Sequence, residues 1–470
     1  MSEEQPSSLY SDWKKIYPRY QTGFFRRLRW SLVALFLGIY YFLPALRWQR
    51  AEGLPDQAIL FDLPARKFYF FDLVIWPQDI FLLAVILIAA ALALFFMTAL
   101  AGRIFCGYMC FQTVWTDLFL YVEKLFEGNR KQRMKLDSSE WTLHKLYVKV
   151  AKHLVWLLIG MATGGAFVFY FADAPTLFWQ FLDGTAPIPA WFTLIFLTIT
   201  TYIMAGIARE QVCIYMCPYA RFQGAMFDED SLIVAYHPEL GEPRESNRRI
   251  RENKESKTGL CIDCNACVTV CPTGIDIRDG QQYECITCGS CIDACNTVKD
   301  RMHMKNELIR YTSMREIQGE KTRWFRPRVL IYGTLLAVFL GGIAVYLAFR
   351  PPLSLNVIKH RQPIYITQSD GSIQNNFTIR ILNMHTQART FSLEVDGLAN
   401  SSLSVVAINK FDKQNRPLIK VASGAVMTFT IYLKQSQNSL KSGSQAITFK
   451  LIATDDPEIE DSYDSKFMRP

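Results

Sequence analysis

Cys261-Ile262-Asp263-Cys264-Asn265-Ala266-Cys267-Val268-Thr269-Val270-Cys271-Pro272 is followed by a second copy, Cys285-Ile286-Thr287-Cys288-Gly289-Ser290-Cys291-Ile292-Asp293-Ala294-Cys295-Asn296. Both copies read Cys-x2-Cys-x2-Cys-x3-Cys, the spacing by which two cubane iron–sulfur clusters share eight thiolates. Three cysteines on a tight loop can reach three irons of one cluster. The fourth lies about a helical turn further on and points to the other cluster. Cys261, Cys264, Cys267 and Cys295 are therefore expected to hold one 4Fe-4S cluster, and Cys271, Cys285, Cys288 and Cys291 the second. Zinc sites also use four cysteines, but usually as two separated pairs. Asn296 stands where the first copy has Pro272, a difference that touches the chain's exit and not ligation.

All 12 cysteines of the 470 residues fall in four short clusters, with none after Cys295, which points to metal or redox chemistry rather than a disulfide scaffold. The remaining four form a repeat, Cys106-Gly107-Tyr108-Met109-Cys110 and Cys213-Ile214-Tyr215-Met216-Cys217-Pro218. On one helix, residues i and i+4 share a face with Cβ atoms about 5–6 Å apart. A disulfide wants about 3.5–4.5 Å, so each pair suits two thiols gripping a common metal. Four thiolates from two facing helices can hold a metal ion or a further cluster. Thiolate and thioether ligands select Cu(I), which makes copper a candidate and Met109 and Met216 candidate soft ligands; the alternative for the methionines is packing.

Half the residues are hydrophobic and 14% are aromatic, which excludes a disordered chain. Apolar runs at Trp30–Leu46, Ile80–Leu100, Val148–Phe171, Ala190–Ala208 and Val329–Phe349 are each about long enough to cross a bilayer. Segment 106–126 is interrupted by Asp117, Glu123 and Lys124 and reads as a cytoplasmic amphipathic helix on the membrane surface. Lys and Arg are dense in 1–29, 101–149 and 209–328 and absent from 172–189. This bias places the N-terminus and both dense loops in the cytoplasm and everything after residue 350 outside. The net charge of +8 thus reflects topology and anionic lipid, not nucleic acid. No signal peptide is expected, since the first apolar run reads as a retained span. His144 and His153 share one segment rather than facing helices, which argues against a haem.

After residue 350 the pattern changes to alternating strands at 353–358, 364–367, 377–382, 390–395, 403–408, 418–421, 427–433 and 446–452. Seven or eight such strands suggest an immunoglobulin-like β-sandwich, here without a cysteine. The expected chain is a multidomain membrane protein with an α-helical bundle of five spans. Residues 1–29 form a cytoplasmic segment, 30–208 a four-helix membrane domain with both CxxxC repeats, and 209–327 an α+β dicluster ferredoxin-like domain. Residues 328–350 form the fifth transmembrane helix and 351–470 an all-β periplasmic sandwich.

This order of parts resembles the CcoG/FixG/RdxA family, cytochrome oxidase accessory proteins of bacteria. The resemblance covers nearly the whole chain. It is carried by Gly102-Arg103-x2-Cys106-x3-Cys110, by Cys213-x3-Cys217-Pro218-Tyr219-Ala220-Arg221-Phe222-Gln223, and by Leu308-Ile309-Arg310-Tyr311. The CxxxCP spans are also similar to those of polyferredoxins such as NapH and NosR, which handle quinol-linked electrons. Phe111 replaces the proline in the first repeat. The resemblance implies a multi-pass protein of the bacterial inner membrane that assists assembly of a cbb3-type cytochrome c oxidase by reducing Cu(II) to Cu(I). It implies oxidase subunits or copper-handling proteins as partners, together with a cytoplasmic electron donor; a homo-oligomer is left open. A quinone-linked electron-transfer subunit and a non-enzymatic assembly scaffold stand as alternatives.

Overall fold

The computed structural model describes residues 15–50, 54–244, 259–304, 307–385, 387–406, 410–412, 414–436 and 443–469. Residues 1–14 of the expected N-terminal segment and 407–408 of the expected strand 403–408 lie outside them. The chain divides into two compact units, one of residues 1–46, 59–68 and 75–343, the other of 47–58, 69–74 and 344–470.

Among the described residues, five helices are long and apolar enough to cross a membrane: Phe24–Ala45, Pro77–Ala101, Leu143–Phe169, Ile188–Ala208 and Pro327–Ala348. The first, α1 (Phe24–Phe42), starts earlier than its apolar run, with two of its three arginines paired to a carboxylate and Arg27 exposed. Arg26 and Arg29 reach Asp117 at 3.0 and 2.7 Å. Three short strands, β1 (Ile59–Asp62), β2 (Lys67–Phe70) and β3 (Leu73–Ile75), precede α2 (Ile80–Ala101), which has no charged side chain.

The single amphipathic helix expected over 106–126 is instead two helices, α3 (Ile104–Tyr108) and α4 (Phe111–Glu127). Nor does α4 present its acids to water. Asp117, Glu123 and Glu127 are all buried, because each faces cations from neighbouring helices. Glu123 meets Arg133 of α5 (Arg130–Ser138) and Arg209, both at 3.0 Å, while Glu127 meets Lys149 at 2.7 Å and Lys152 at 2.8 Å. Both lysines belong to α6 (Leu143–Phe169). A buried carboxylate without partners costs several kcal/mol, so these pairs fix α4 among its neighbours.

The loop after α6 carries α7 (Ala174–Leu182) and leads to α8 (Ile188–Thr201). α6 and α8 pack closely through Gly160 and Gly164, where an added Cβ would lie 3.0 Å from the Thr198 carbonyl and 2.7 Å from that of Leu194. This small-x3-small spacing lets helix backbones approach. The fourth span ends in a π-helical stretch, Tyr202–Ala208, and a second one covers Val212–Met216 before α9 (Pro218–Met226). His153 bonds Tyr202 at 2.9 Å and meets Trp156 edge-on, a packing role.

In the other unit two antiparallel sheets enclose one apolar core that includes Phe377, Phe391, Phe449 and Phe467. One sheet runs β10 (Ser401–Val405), β12 (Ala425–Gln435), β8 (Ile373–Asn383), β6 (Leu353–Lys359), with β7 (Ile366–Thr367) also on β8. The other runs β11 (Leu418–Val421), β9 (Arg389–Asp396), β13 (Ser444–Ala453), β14 (Glu460–Met468). The sandwich was expected; β14 was not, because its sequence EDSYDSKFM is mostly polar and only Phe467 is fully buried. It is an edge strand, where one row of side chains faces water.

Glu123 yields a pH prediction. Burial alone would raise its carboxyl, but Arg209, Lys152 and Arg133 outweigh burial and hold it at about 2, against an ordinary 4.5. The unfolded chain therefore binds this proton first as pH falls. The contribution is whole above about pH 4.5 and is lost as pH drops through about 2. Glu123→Gln should destabilise the detergent-solubilised protein at pH 7 by about 3 kcal/mol. The gap from wild type should shrink below pH 4.5; thermal melts across pH 3–7 check both, and a gap independent of pH would contradict the assignment.

Candidate metal centre

The iron–sulfur segment is bracketed by β4 (Ile233–Tyr236) and β5 (Ile309–Thr312), which pair antiparallel with Val234 opposite Tyr311. Between them the two cysteine loops place left-handed residues at the same two positions. Asp263 and Asn265 have φ of 46° and 55°; their counterparts Thr287 and Gly289 have 54° and 72°. Alternation of left- and right-handed residues turns successive N–H groups into one concavity, a geometry that suits anionic sulfur sites. The Pro272/Asn296 difference also acquires a cause. The first loop leads into a short helix, Ala266–Thr269, that has ended before Pro272, whereas the second leads into Ser290–Arg301, which runs through Asn296. Proline there would remove an N–H and clash within the helix.

Two cavities lie in this segment. One, about 380 Å³, has Cys261, Cys264, Cys267 and Cys295 on its walls, with Arg278 and Lys299. The other, about 350 Å³, is lined by Cys271, Cys285, Cys288 and Cys291, with Cys267 shared and a largely apolar remainder that includes Val234, Ile275 and Ile277. Burial pushes the Cys267 and Cys285 thiols up to about 12 and Cys295 to about 11. As free thiols these groups keep their protons at neutral pH, and a metal centre is what ionises them. Cubane clusters fit this donor set, since each thiolate binds a different iron around a cavity of this kind.

The membrane cysteines also come together. Cys106, Cys110, Cys213 and Cys217 lie near enough for each pair's charges to perturb the other pair. The expectation that each pair shares a helix face is corrected, because both pairs straddle a helix break. Cys106 sits in α3 and Cys110 is the N-cap of α4; Cys213 sits in the π-helical stretch and Cys217 is the N-cap of α9. Burial raises the Cys110 thiol, and the backbone at Gln112 and Thr113 pulls back on it. Pro218 and Phe111 both occupy the first helical position, where proline is favoured but dispensable because that N–H has no partner within the helix. Met109 and Met216 are 44% and 60% exposed, so they do not turn inward with the thiols. Among the described residues, no three His, Cys, Asp or Glu side chains converge as a single metal ion requires.

Several residues of this centre carried no role in the sequence reading. Arg103 donates to Gln223 at 3.0 Å and to the Tyr283 carbonyl, and the Cys106 thiol donates to Gln223 at 3.3 Å. Burial raises the Cys106 thiol to about 11 against the pull of Arg103. Cys106, Ile286 and Cys288 share one buried cluster. Gly107 makes this seam close: a Cβ there would lie 2.7 Å from the Ile286 carbonyl oxygen and 3.1 Å from the Cys288 Cα. Tyr108 donates to the Cys288 carbonyl at 3.1 Å, and Tyr311 to that of Thr287 at 2.6 Å. The membrane repeat therefore packs directly on the second cysteine loop. Its sequence signal was the Gly-Tyr inside the first repeat, which the second repeat replaces with Ile-Tyr.

Comparison with known proteins supports this anatomy. Residues 208–314 match the family described as a 4Fe-4S dicluster domain, residues 83–131 a 4Fe-4S binding domain, and residues 343–470 an IG-like fold at the C-terminal of FixG. The chain is 42% identical to the nitrogen fixation protein FixG of Rhizobium meliloti over 98% of its own length and 94% of the relative's. The chain belongs to the FixG/RdxA family. Proteins RdxB and RdxA of Cereibacter sphaeroides are 44% and 43% identical to it, covering 92% and 95% of this chain and 91% and 95% of theirs. The FixG/RdxA chain is thus an iron–sulfur membrane protein with an immunoglobulin-like C-terminal domain.

The seam predicts that Gly107→Ala destabilises this FixG/RdxA protein by about 1–3 kcal/mol, since backbone must yield to the new methyl. Gly341→Ala, in open space, should be silent. Thermal melts of the two variants in one detergent check the contrast; equal melting points would mean the seam is loose.

Proposed function

We propose that the protein is a membrane-bound one-electron oxidoreductase that reduces Cu(II) to Cu(I) in support of cbb3-type oxidase assembly. The observation that carries this reading is the packing of Cys106 and Gly107 on Ile286 and Cys288, which joins the membrane thiols to the ferredoxin-like segment. In this reading Cys261, Cys264, Cys267 and Cys295 hold one 4Fe-4S cluster, and Cys271, Cys285, Cys288 and Cys291 hold the other. When bound, such clusters supply single electrons over a wide range of potentials. The chain's own part is placement. Cys267 lines both cavities, Arg278 and Lys299 set two cations beside the first, and Val234, Ile275 and Ile277 keep water from the second. Cys264 is exposed and offers a reduced cytoplasmic donor a place to approach. The substrate, Cu(II), gains one electron and becomes the soft ion that thioether and thiolate groups prefer. The exposed Met109 and Met216 are suited to meet it.

For the four membrane cysteines, two observations favour a further iron–sulfur cluster over a resident copper ion. The 4Fe-4S binding family match at 83–131 contains Cys106 and Cys110, and the thiols do not converge on one point. The distribution of Lys and Arg supports a cytoplasmic N-terminus and ferredoxin-like domain, with the β-sandwich on the opposite side of the inner membrane.

Iron and acid-labile sulfide analysis of the purified protein tests the assignment. Wild type should carry about twelve irons and Cys213→Ala/Cys217→Ala about eight. Unchanged iron with lost copper would place copper there instead. Reduction of Cu(II) by the dithionite-reduced protein should fall sharply in Cys285→Ala/Cys288→Ala. A folded variant that reduces Cu(II) at the wild-type rate would sink the reductase reading.

A further inference from the structure

A strongly basic concavity of the helical unit lies where the chain enters α1. It encloses about 530 Å³, and five cations line it: Arg19, Arg26, Arg29, Lys124 and Arg133. Asp117 is the single acid on its wall, and it is already shared by Arg26 and Arg29. Arg133 is 3% exposed and pairs with Glu123 through Nη1, yet its Nε finds no hydrogen-bond partner; the buried Nε of Arg26 has none either. Arg19 and Lys124 pair with no carboxylate among the described residues. Lys124 instead lies 3.4 Å from the centre of the Tyr20 ring.

Unused donors on a buried guanidinium call for an explanation, since buried polar groups are nearly always satisfied. An arginine fork matches the oxygens of a phosphate, and a charge-assisted bond of this kind is among the stronger ones available to a protein. We infer that this cleft binds a phosphate group. The position at the start of the first span is one where basic pockets take lipid headgroups; a soluble phosphate compound carries the same chemistry. Val270, Pro272 and Ser290, the neighbours of Cys271 and Cys291, also line the cleft, so a phosphate here ties the first span to both cysteine loops.

Calorimetric titration of the full-length protein in a non-ionic detergent, with dihexanoyl-phosphatidylglycerol in one arm and inorganic phosphate in the other, tests the inference. Arg19→Gln/Lys124→Gln removes two cations from the cleft; Arg301→Gln/Lys321→Gln removes two elsewhere. Saturable lipid binding that weakens at least about tenfold in the cleft variant only, with inorganic phosphate silent, identifies a headgroup site. Saturable phosphate binding with the same loss identifies a soluble ligand. No saturable binding of either probe, or equal affinity in wild type and cleft variant, overturns the inference. Matching melting points and visible cluster absorption establish that the variants are folded, and Arg19→Gln alone, at an exposed position, replaces the double variant if that unfolds.

Discussion

Three carboxylates buried on one helix hold the membrane unit together. Asp117, Glu123 and Glu127 lie along α4, all three buried, and burying a carboxylate is costly unless cations stand beside it. The cations come from elsewhere: Arg26 and Arg29 from α1, Arg133 from α5, Lys149 and Lys152 from α6, and Arg209 from the end of the fourth span. The elements that surround both cysteine repeats therefore converge on α4, whose N-cap is Cys110. A hydrophobic contact would tolerate a helix rotated by some tens of degrees. A buried charge with two or three partners does not, so the register of Cys110 is set by the acids that follow it.

From that anchored position the first repeat reaches the ferredoxin-like segment. Gly107 has no side chain to hold the Cys288 loop away, and Tyr108 bonds to the Cys288 carbonyl. A second tie lies on α1, where the amides of Phe25 and Arg26 donate to Asp293 at 3.3 and 2.8 Å. The cysteine loops of the ferredoxin-like segment are thus held against the helices at two points instead of hanging from a linker. Electron transfer falls off steeply with distance, so a fixed short separation is worth more to a redox protein than a flexible one.

The sequence made the cysteine chemistry and the spans legible because both are written in local patterns. A 2-2-3 cysteine spacing needs no tertiary information, and twenty apolar residues have few places to go other than a bilayer. Segment 106–126 misled because Asp117 and Glu123 look solvent-facing when their partners, 86 residues away at Arg209 or 91 at Arg26, are not visible. The i, i+4 reading of the CxxxC pairs failed for a related reason: no strong breaker stands between Cys106 and Cys110, and the chain turns there because α3 and α4 pack differently. β14 was missed since an edge strand needs only one buried residue in its register, and Phe467 alone is too weak a signal.

The helix breaks at the membrane cysteines do more than aim them. A cysteine within a regular helix has its sulfur beside amides already bonded to carbonyls four residues earlier. At an N-cap the sulfur faces amides that have no intrahelical partner, and the helix dipole adds its positive end. Burial raises the Cys110 thiol and the amides of Gln112 and Thr113 oppose that rise, while Cys217 is the N-cap of α9. Cys106 and Cys213 lack this help and are pushed by burial to about 11 and about 12, with Arg103 pulling back on both. Each repeat therefore sets one sulfur at the start of a helix and one within the preceding helical stretch, where burial holds the proton on. Loading such a site with metal releases protons, and affinity rises with pH. The same arrangement recurs in both repeats, and a helix N-terminus beside a thiol favours its ionised, metal-binding form over the neutral one.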